Sequence, residues 1–284
     1  MSVEGSAIVA TDPTARAAEV AGFPNLGPED RFGIRQTGHG PDRISVEQWL
    51  PTGAVGELPV GWLGPLADFV TGRAVQSALV SDVGIRTLSL HMQIGARGLH
   101  RGRRVLASGE VIEIGSRSVL AGGRITDEMG SLVAQVTGRF VVVPGVVRPS
   151  SAAGSELTVP ESDSLAVQLG ADVVAREAGR SRFALRPAEW MANPYGIVHG
   201  GIPVALVDLA LTDAATAEAG PVRTLGLDVT FHRPAPLNDV PLEVEAVVER
   251  VGARVVVANA VVYQWTPHQP MVTAACTMLR ITQD

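Results

Sequence analysis

Residues 201–217, GIPVALVDLALTDAATA, place a carboxylate, Asp208, inside a helix-length run that is apolar on nearly every face. A helix of that kind cannot lie on a surface with one side in water; it must be enclosed. The segments that follow it, LGLDVTFHRPA, VPLEVEAVVERV, ARVVVANAVVYQW and PMVTAACTMLRIT, are rich in β-branched residues. They alternate partly with period two and are flanked by Pro and Gly, so they read as strands. One helix followed by a run of short strands predicts an α+β unit in which an antiparallel sheet wraps a buried helix.

The pattern occurs twice. GWLGPLADFVTGRA (Gly61 to Ala74) aligns with GIPVALVDLALTDA (Gly201 to Ala214) at a separation of 140 residues, which sets Asp68 on Asp208. RTLSL (Arg86 to Leu90) aligns with RTLGL (Arg223 to Leu227) at 137, which sets Thr87 on Thr224. The later segments LVAQVTGRFVVV and MVTAACTMLRIT correspond as well. The expected organisation is an extension over 1–40, a first domain over 41–145, a linker over 146–162 and a second domain over 163–284. The Pro/Ser/Gly-rich stretch Pro144 to Ser162 supplies the connector.

Composition narrows the chemistry. A net charge of −6 argues against a general nucleic-acid binder, which needs a basic surface. The chain contains no lysine, so lysine Schiff-base chemistry and the lysine-bearing phosphate loop are excluded. Gly-x-Ser-x-Gly, His-Glu-x-x-His and a dinucleotide-type glycine loop are missing too. Cys276, the single cysteine, reads as a small buried hydrophobe and permits no internal disulfide. His39, His91, His100 and His268 lack metal-ligand spacing, and no metal site is expected. With no span-length apolar run and no signal-peptide pattern near the start, the expectation is a cytoplasmic protein without a membrane partner.

Two features suggest a reaction centre. An ionised carboxylate in an apolar helix is costly unless it is paired, and burial moves its pKa toward the range useful to a base. Gly200 and Gly201 lie where a loop enters the helix, so unsatisfied N–H groups at the positive end of the dipole face outward. A carbonyl oxygen gaining negative charge would be stabilised there.

NPYGIVHGGIPVALVDLA, followed by TLGLDVTFHRPA, resembles the hotdog-fold acyl-CoA thioesterases of the phenylacetate-pathway (PaaI-like) type. In that family Asn-(x)5-His-Gly-Gly precedes an acidic residue on the central helix. The resemblance implies a tandem double hotdog that hydrolyses an acyl-CoA to a carboxylic acid and coenzyme A without a cofactor. Gly200 would donate its amide to the thioester oxygen, Asn193 would orient substrate or water, and His199 would support the loop and polarise the thioester. Thr224 would stand near the attacking group. Asp208 matches the family acid, acting as general base or as nucleophile. Gly201, His232 and Arg233 are expected beside the substrate, the last two in an element that is similar to FHRP of another double-hotdog thioesterase group, where a structural role is equally open.

In single hotdogs of this family the Asn/His/Gly loop of one unit faces the acid of its partner, which implies cross-paired sites here. The first-half positions matching Asn193, His199 and Gly200 are Gly53, Pro59 and Val60, so that loop has lost its side-chain chemistry. The intact site is therefore expected to join Asn193, His199 and Gly200 to Asp68 and Thr87. Asp208 and Thr224 would face the degenerate loop. Arg97, Arg101, Arg103 and Arg104 are open to two readings, contacts to coenzyme A phosphates or a solvated loop. Rival readings are an enoyl-CoA hydratase-like lyase and a non-catalytic acyl-CoA-binding protein. Homo-oligomers of double-hotdog units are also expected.

Overall fold

The computed structural model describes residues 8–23, 25–41, 43–52, 57–100, 102–145, 160 and 162–281. The first half contains α1 (Pro13–Ala21), α2 (Gly27–Arg31), β1 (Ile34–His39), β2 (Arg43–Trp49), β3 (Glu57–Leu58), α3 (Gly64–Ala78) and β4 (Val83–Ile94). It continues through β5 (Leu99–His100), β6 (Arg104–Ile114), β7 (Ser118–Asp127) and β8 (Leu132–Pro144). The second half contains α4 (Leu165–Leu169), β9 (Ala171–Glu177), β10 (Arg180–Leu185), α5 (Gly201–Ala219), β11 (Val222–Phe231), β12 (Leu242–Val251), β13 (Val255–Tyr263) and β14 (Val272–Arg280).

Twelve strands form one sheet in the order β1-β2-β6-β7-β8-β4-β11-β14-β13-β12-β10-β9. The two halves meet at β4 and β11, which pair antiparallel from Gly226↔Gln93 to Thr230↔Ser89. Reading outward from that seam, each half repeats the same succession of strands. This is a pseudo-twofold arrangement, and it is the wrapped-helix plan implied by the apolar helix, executed twice.

Helix α5 buries Ile202 through Asp208 without interruption, and α3 buries every residue except Gly72 and Gln76. Both belong to one continuous core that also holds Phe32, Trp62, Phe183 and Met278. The helices touch at their N-termini because both carry glycine there. A Cβ on Gly201 would stand 2.4 Å from Pro65 Cα, and one on Gly64 would stand 2.8 Å from Gly201 O. No described helix is long and apolar enough to cross a membrane.

Residues 27–39, set apart in the sequence as part of an extension, belong to this plan. Helix α2 followed by β1 is the counterpart of α4 followed by β9. The two short helices bond to each other: Arg31 Nε donates to Gln168 O at 2.9 Å, and the Gln168 amide donates to Arg31 O. Arg31 and Gln168 lie 137 residues apart, the same separation that relates the two RTL segments. Most of the expected linker lies outside the described residues.

Candidate active site

The loop from Asn193 to Gly200 is organised by its own side chains. The Asn193 carboxamide oxygen accepts from Tyr195 N at 2.9 Å and Ile197 N at 3.4 Å, an Asx turn. Its oxygen is thus used by the turn, and its N–H groups are what it can offer a ligand. The chain then passes through His199 into Gly200, the residue that precedes α5. The Gly200 N–H donates to no protein acceptor among the described residues.

Asp68, from α3 of the other half, meets this loop. A Cβ on Gly200 would fall 2.7 Å from Asp68 Oδ2, so only glycine permits the approach. Asp68 Oδ1 accepts from Thr87 Oγ1 of β4 at 2.8 Å, and Oδ2 lies 3.3 Å from His199 Nδ1. A crevice of about 220 Å³ opens on this group, with Asp68, Thr87, Asn193 and Gly200 in its wall. His232, Arg233 and Arg86 also line it. His232 is hydrogen-bonded to Thr273 Oγ1 and Arg233 to Gln269. A smaller adjoining cavity reaches His199 and Glu29.

His199 is buried between two acids. Its Nε2 lies 3.3 Å from Glu29 Oε1, an ion contact rather than an aligned hydrogen bond. Burial opposes a charge on the imidazole, but the Asp68 and Glu29 carboxylates outweigh it and hold the pKa above its ordinary value. Two contacts compete for Nδ1. The Gly201 N–H, at 3.1 Å, asks for a bare nitrogen, whereas Asp68 asks for a protonated one. Out of water a full carboxylate charge outweighs one amide dipole, which assigns a proton to Nδ1.

The second acid has a different setting. Asp208 is fully buried; its Oδ2 accepts from Gly61 N at 2.6 Å and its Oδ1 from Thr224 Oγ1 at 3.1 Å. Burial pushes its pKa up to about 6 against those two hydrogen bonds. Neither Asp208 nor Thr224 borders the crevice. Gly61 of the first-half loop faces Asp208, and an ion pair of Glu57 with Arg223 at 2.7 Å lies next to Thr224 at the start of β11. Of the matching loop positions, Gly53 lies outside the described residues.

One expectation needs correction. Gly201 does not face the crevice, because it is packed on Pro65 and its N–H points at His199. Asp208 and Thr224 are brought together away from the His199 loop and against Gly61 of the first-half loop, as the cross-paired arrangement expects. The arginine-rich loop lies apart from the crevice too. Arg97 and Arg103 border a separate cavity with Leu50 and Asp127, while Arg104 is held by Glu47 and Glu128. Arg101 lies outside the described residues.

Residues 195–270 match the thioesterase superfamily. This stretch is a thioesterase-superfamily hotdog domain. The tesB protein of Mycobacterium avium subs. paratuberculosis superposes on the chain with a TM-score of 0.65 at 16% identity, over 90% of this chain and 99% of its own. The acyl-CoA thioesterase II TesB2 of Mycobacterium marinum gives 0.57 at 14%, over 89% and 97%. The E. coli PaaI protein, from the phenylacetic acid degradation operon, gives 0.39 at 20%, over 41% and 83%. Comparison with curated protein sequences finds no match. The first two likenesses establish the tandem hotdog fold over nearly the whole chain.

Three residues near the site, Glu29, Arg73 and Arg86, were not singled out from the sequence. Glu29 is 0% exposed, and although burial raises a carboxylate, His199 and Arg73 draw its pKa below the ordinary range. The one available signal for Arg86 was its place immediately before Thr87 in the repeated RTL segment. Among the described residues no group of three His, Cys, Asp or Glu side chains is arranged to hold a metal.

Proposed function

We propose that the chain is an acyl-CoA thioesterase with one working site, built from both halves. The observation that carries this reading is Asp68 of α3 lying against Gly200 and His199 at the N-terminus of α5, beside an open crevice. The thioesterase-superfamily match over residues 195–270 and the likeness to the acyl-CoA thioesterase II TesB2 of Mycobacterium marinum support it.

In the proposed reaction the thioester carbonyl oxygen rests on the Gly200 N–H, at the positive end of the α5 dipole. A water between the carbonyl carbon and Asp68 gives its proton to the carboxylate as its oxygen attacks. Thr87, donating to Oδ1, leaves Oδ2 directed at that water. The tetrahedral intermediate then expels coenzyme A as thiolate, and the product is the free carboxylic acid. The His199 imidazolium stabilises the negative charge that passes through the site. Asn193 contributes its amide N–H groups to orientation. Arg86 and Arg233, both exposed at the mouth, are suited to the phosphates of coenzyme A. The chemistry as proposed needs no metal and no cofactor beyond the coenzyme A of the substrate.

Free-thiol release from a panel of acyl-CoAs tests the reading. Asp68→Asn should lower kcat/KM by roughly 10²- to 10⁴-fold, while Asp208→Asn keeps turnover within about threefold of wild type. Hydration of an enoyl-CoA without thiol release would favour a lyase. Tight acyl-CoA binding with no turnover would favour a binding protein. Either result overturns the hydrolase.

A further inference from the structure

We propose that Glu29, on the short helix α2, is the positioning residue that grips His199 by Nε2 and so aims Nδ1 at Asp68. The inference rests on the hydrolase reading only for its effect on rate; its geometry stands without it. Glu29 is 0% exposed, and its Oε1 stands 3.3 Å from His199 Nε2. A carboxylate is rarely taken wholly out of water without a charged partner; His199 stands against Glu29 Oε1, and the Arg73 charge acts on it as well.

The mount is rigid. Glu29 Oε2 accepts from Leu26 N at 2.6 Å. Gly27 lies so close to the second half that a Cβ there would be 2.2 Å from Trp190 O. The Arg31 guanidinium covers the Trp190 ring at 4.6 Å from its centroid. Helix α2 of the first half is therefore clamped on the very loop of the second half that ends in His199, whose N–H donates to Met191 O at 2.8 Å.

The repeat supplies an internal control. Helix α4 takes the corresponding place on the first-half loop, with Leu165 against Gly61. At the separation of 137 that pairs Arg31 with Gln168, the counterpart of Glu29 is Ala166, and at the helix offset of 140 the counterpart of His199 is Pro59. The carboxylate is present where the loop has a histidine to hold and absent where it does not. A role limited to capping Leu26 N–H would not track the histidine in this way.

The charged and titratable groups around His199 are Glu29 on α2, Asp68 and Arg73 on α3, and Tyr195 in the loop. Glu29→Gln keeps an acceptor for Leu26 N–H but turns an amide N–H toward Nε2. That favours a bare Nε2 and removes one of the two charges that keep the ring protonated.

The test is the imidazole ¹⁵N titration of His199, assigned among the six histidines by its loss in His199→Gln. In Glu29→Gln His199 should lose its proton at lower pH than in wild type. The alkaline limb of kcat/KM should move down with it, and kcat at pH 8 should drop roughly ten- to hundredfold with KM little changed. A His199 that titrates alike in both proteins overturns the proposal, whatever the activity. If no acyl-CoA is hydrolysed but the titration moves, the positioning survives and the hydrolase reading fails. Should the variant not fold, wild type alone decides. A protonated Nε2 in the ¹⁵N spectrum of His199 at pH 6.5 agrees with the proposal, and a bare Nε2 there refutes it.

Discussion

Replacing Asp208 by asparagine should make the protein more stable at neutral pH, and the gain should appear only as the pH rises. Asp208 is sealed in the core, with its pKa raised from 3.8 to about 6 by burial. An acid whose folded pKa is raised binds its proton more tightly in the folded state. Its contribution is therefore fully present below pH 3.8 and is lost as the pH climbs through about 6. At about 1.4 kcal/mol per pH unit, the loss is about 3 kcal/mol. Asparagine has nearly the same shape. Its oxygen accepts from Gly61 N–H, its NH₂ donates to Thr224 Oγ1 once that hydroxyl turns, and it never ionises. The variant-minus-wild-type unfolding free energy should thus grow by about 2.4 kcal/mol between pH 4 and pH 7, most of the full loss. Every other carboxylate cancels in that difference. Denaturant titrations followed by tryptophan fluorescence, to which the fully buried Trp62 contributes, would measure it. In melting temperature the gain at pH 7 should be roughly 6 °C. A difference that stays flat from pH 4 to pH 7 would refute the reasoning, because Asp208 would then be reaching water or an unseen cation.

Gly200→Ala should cost on the order of 10²- to 10³-fold in kcat/KM, since the new methyl meets Asp68 Oδ2 at 2.7 Å and displaces the acid from the amide it faces. Gly201→Ala should act on stability instead: its Cβ would sit 2.4 Å from Pro65 Cα, and overpacking of this kind costs about 1–3 kcal/mol, read by denaturant unfolding. His199→Asn should flatten part of the alkaline stability profile. A raised histidine pKa contributes stability that is complete below 6.5 and is lost as the pH rises through the folded value, so wild type should exceed the variant most at acid pH. Arg86→Ala should raise KM for acyl-CoA more than for a short thioester lacking the nucleotide, with kcat almost unchanged.

Helix α5 and strands β11 to β14 were legible because contrast is strong there: an unbroken apolar helix, then β-branched runs bounded by Pro and Gly. The cross-pairing of Asp68 with the His199 loop was also within reach, since the helix offset of 140 set the two aspartates in register. Glu29 was not. In GPEDR, a five-residue helix with no apolar period, a glutamate reads as a solvated turn. Its burial is imposed by Trp190 and His199, more than 160 positions away, and nothing local records that. Strand β1, IRQTGH, is an edge strand with alternating exposure, so it too lacked the composition that marks an interior strand. Gly201 was misplaced for a related reason: a Gly-Gly pair does not say which glycine faces a ligand and which faces Pro65.

The β4–β11 seam turns one chain into its own obligatory partner. In the proposed reaction the acid, Asp68, and the loop carrying His199 come from opposite sides of that junction, so neither half holds the whole site. Covalent linkage keeps the two halves at a one-to-one ratio, so they need not be alike: the first carries Pro59 where the second has His199, and the second carries Ala166 where the first has Glu29.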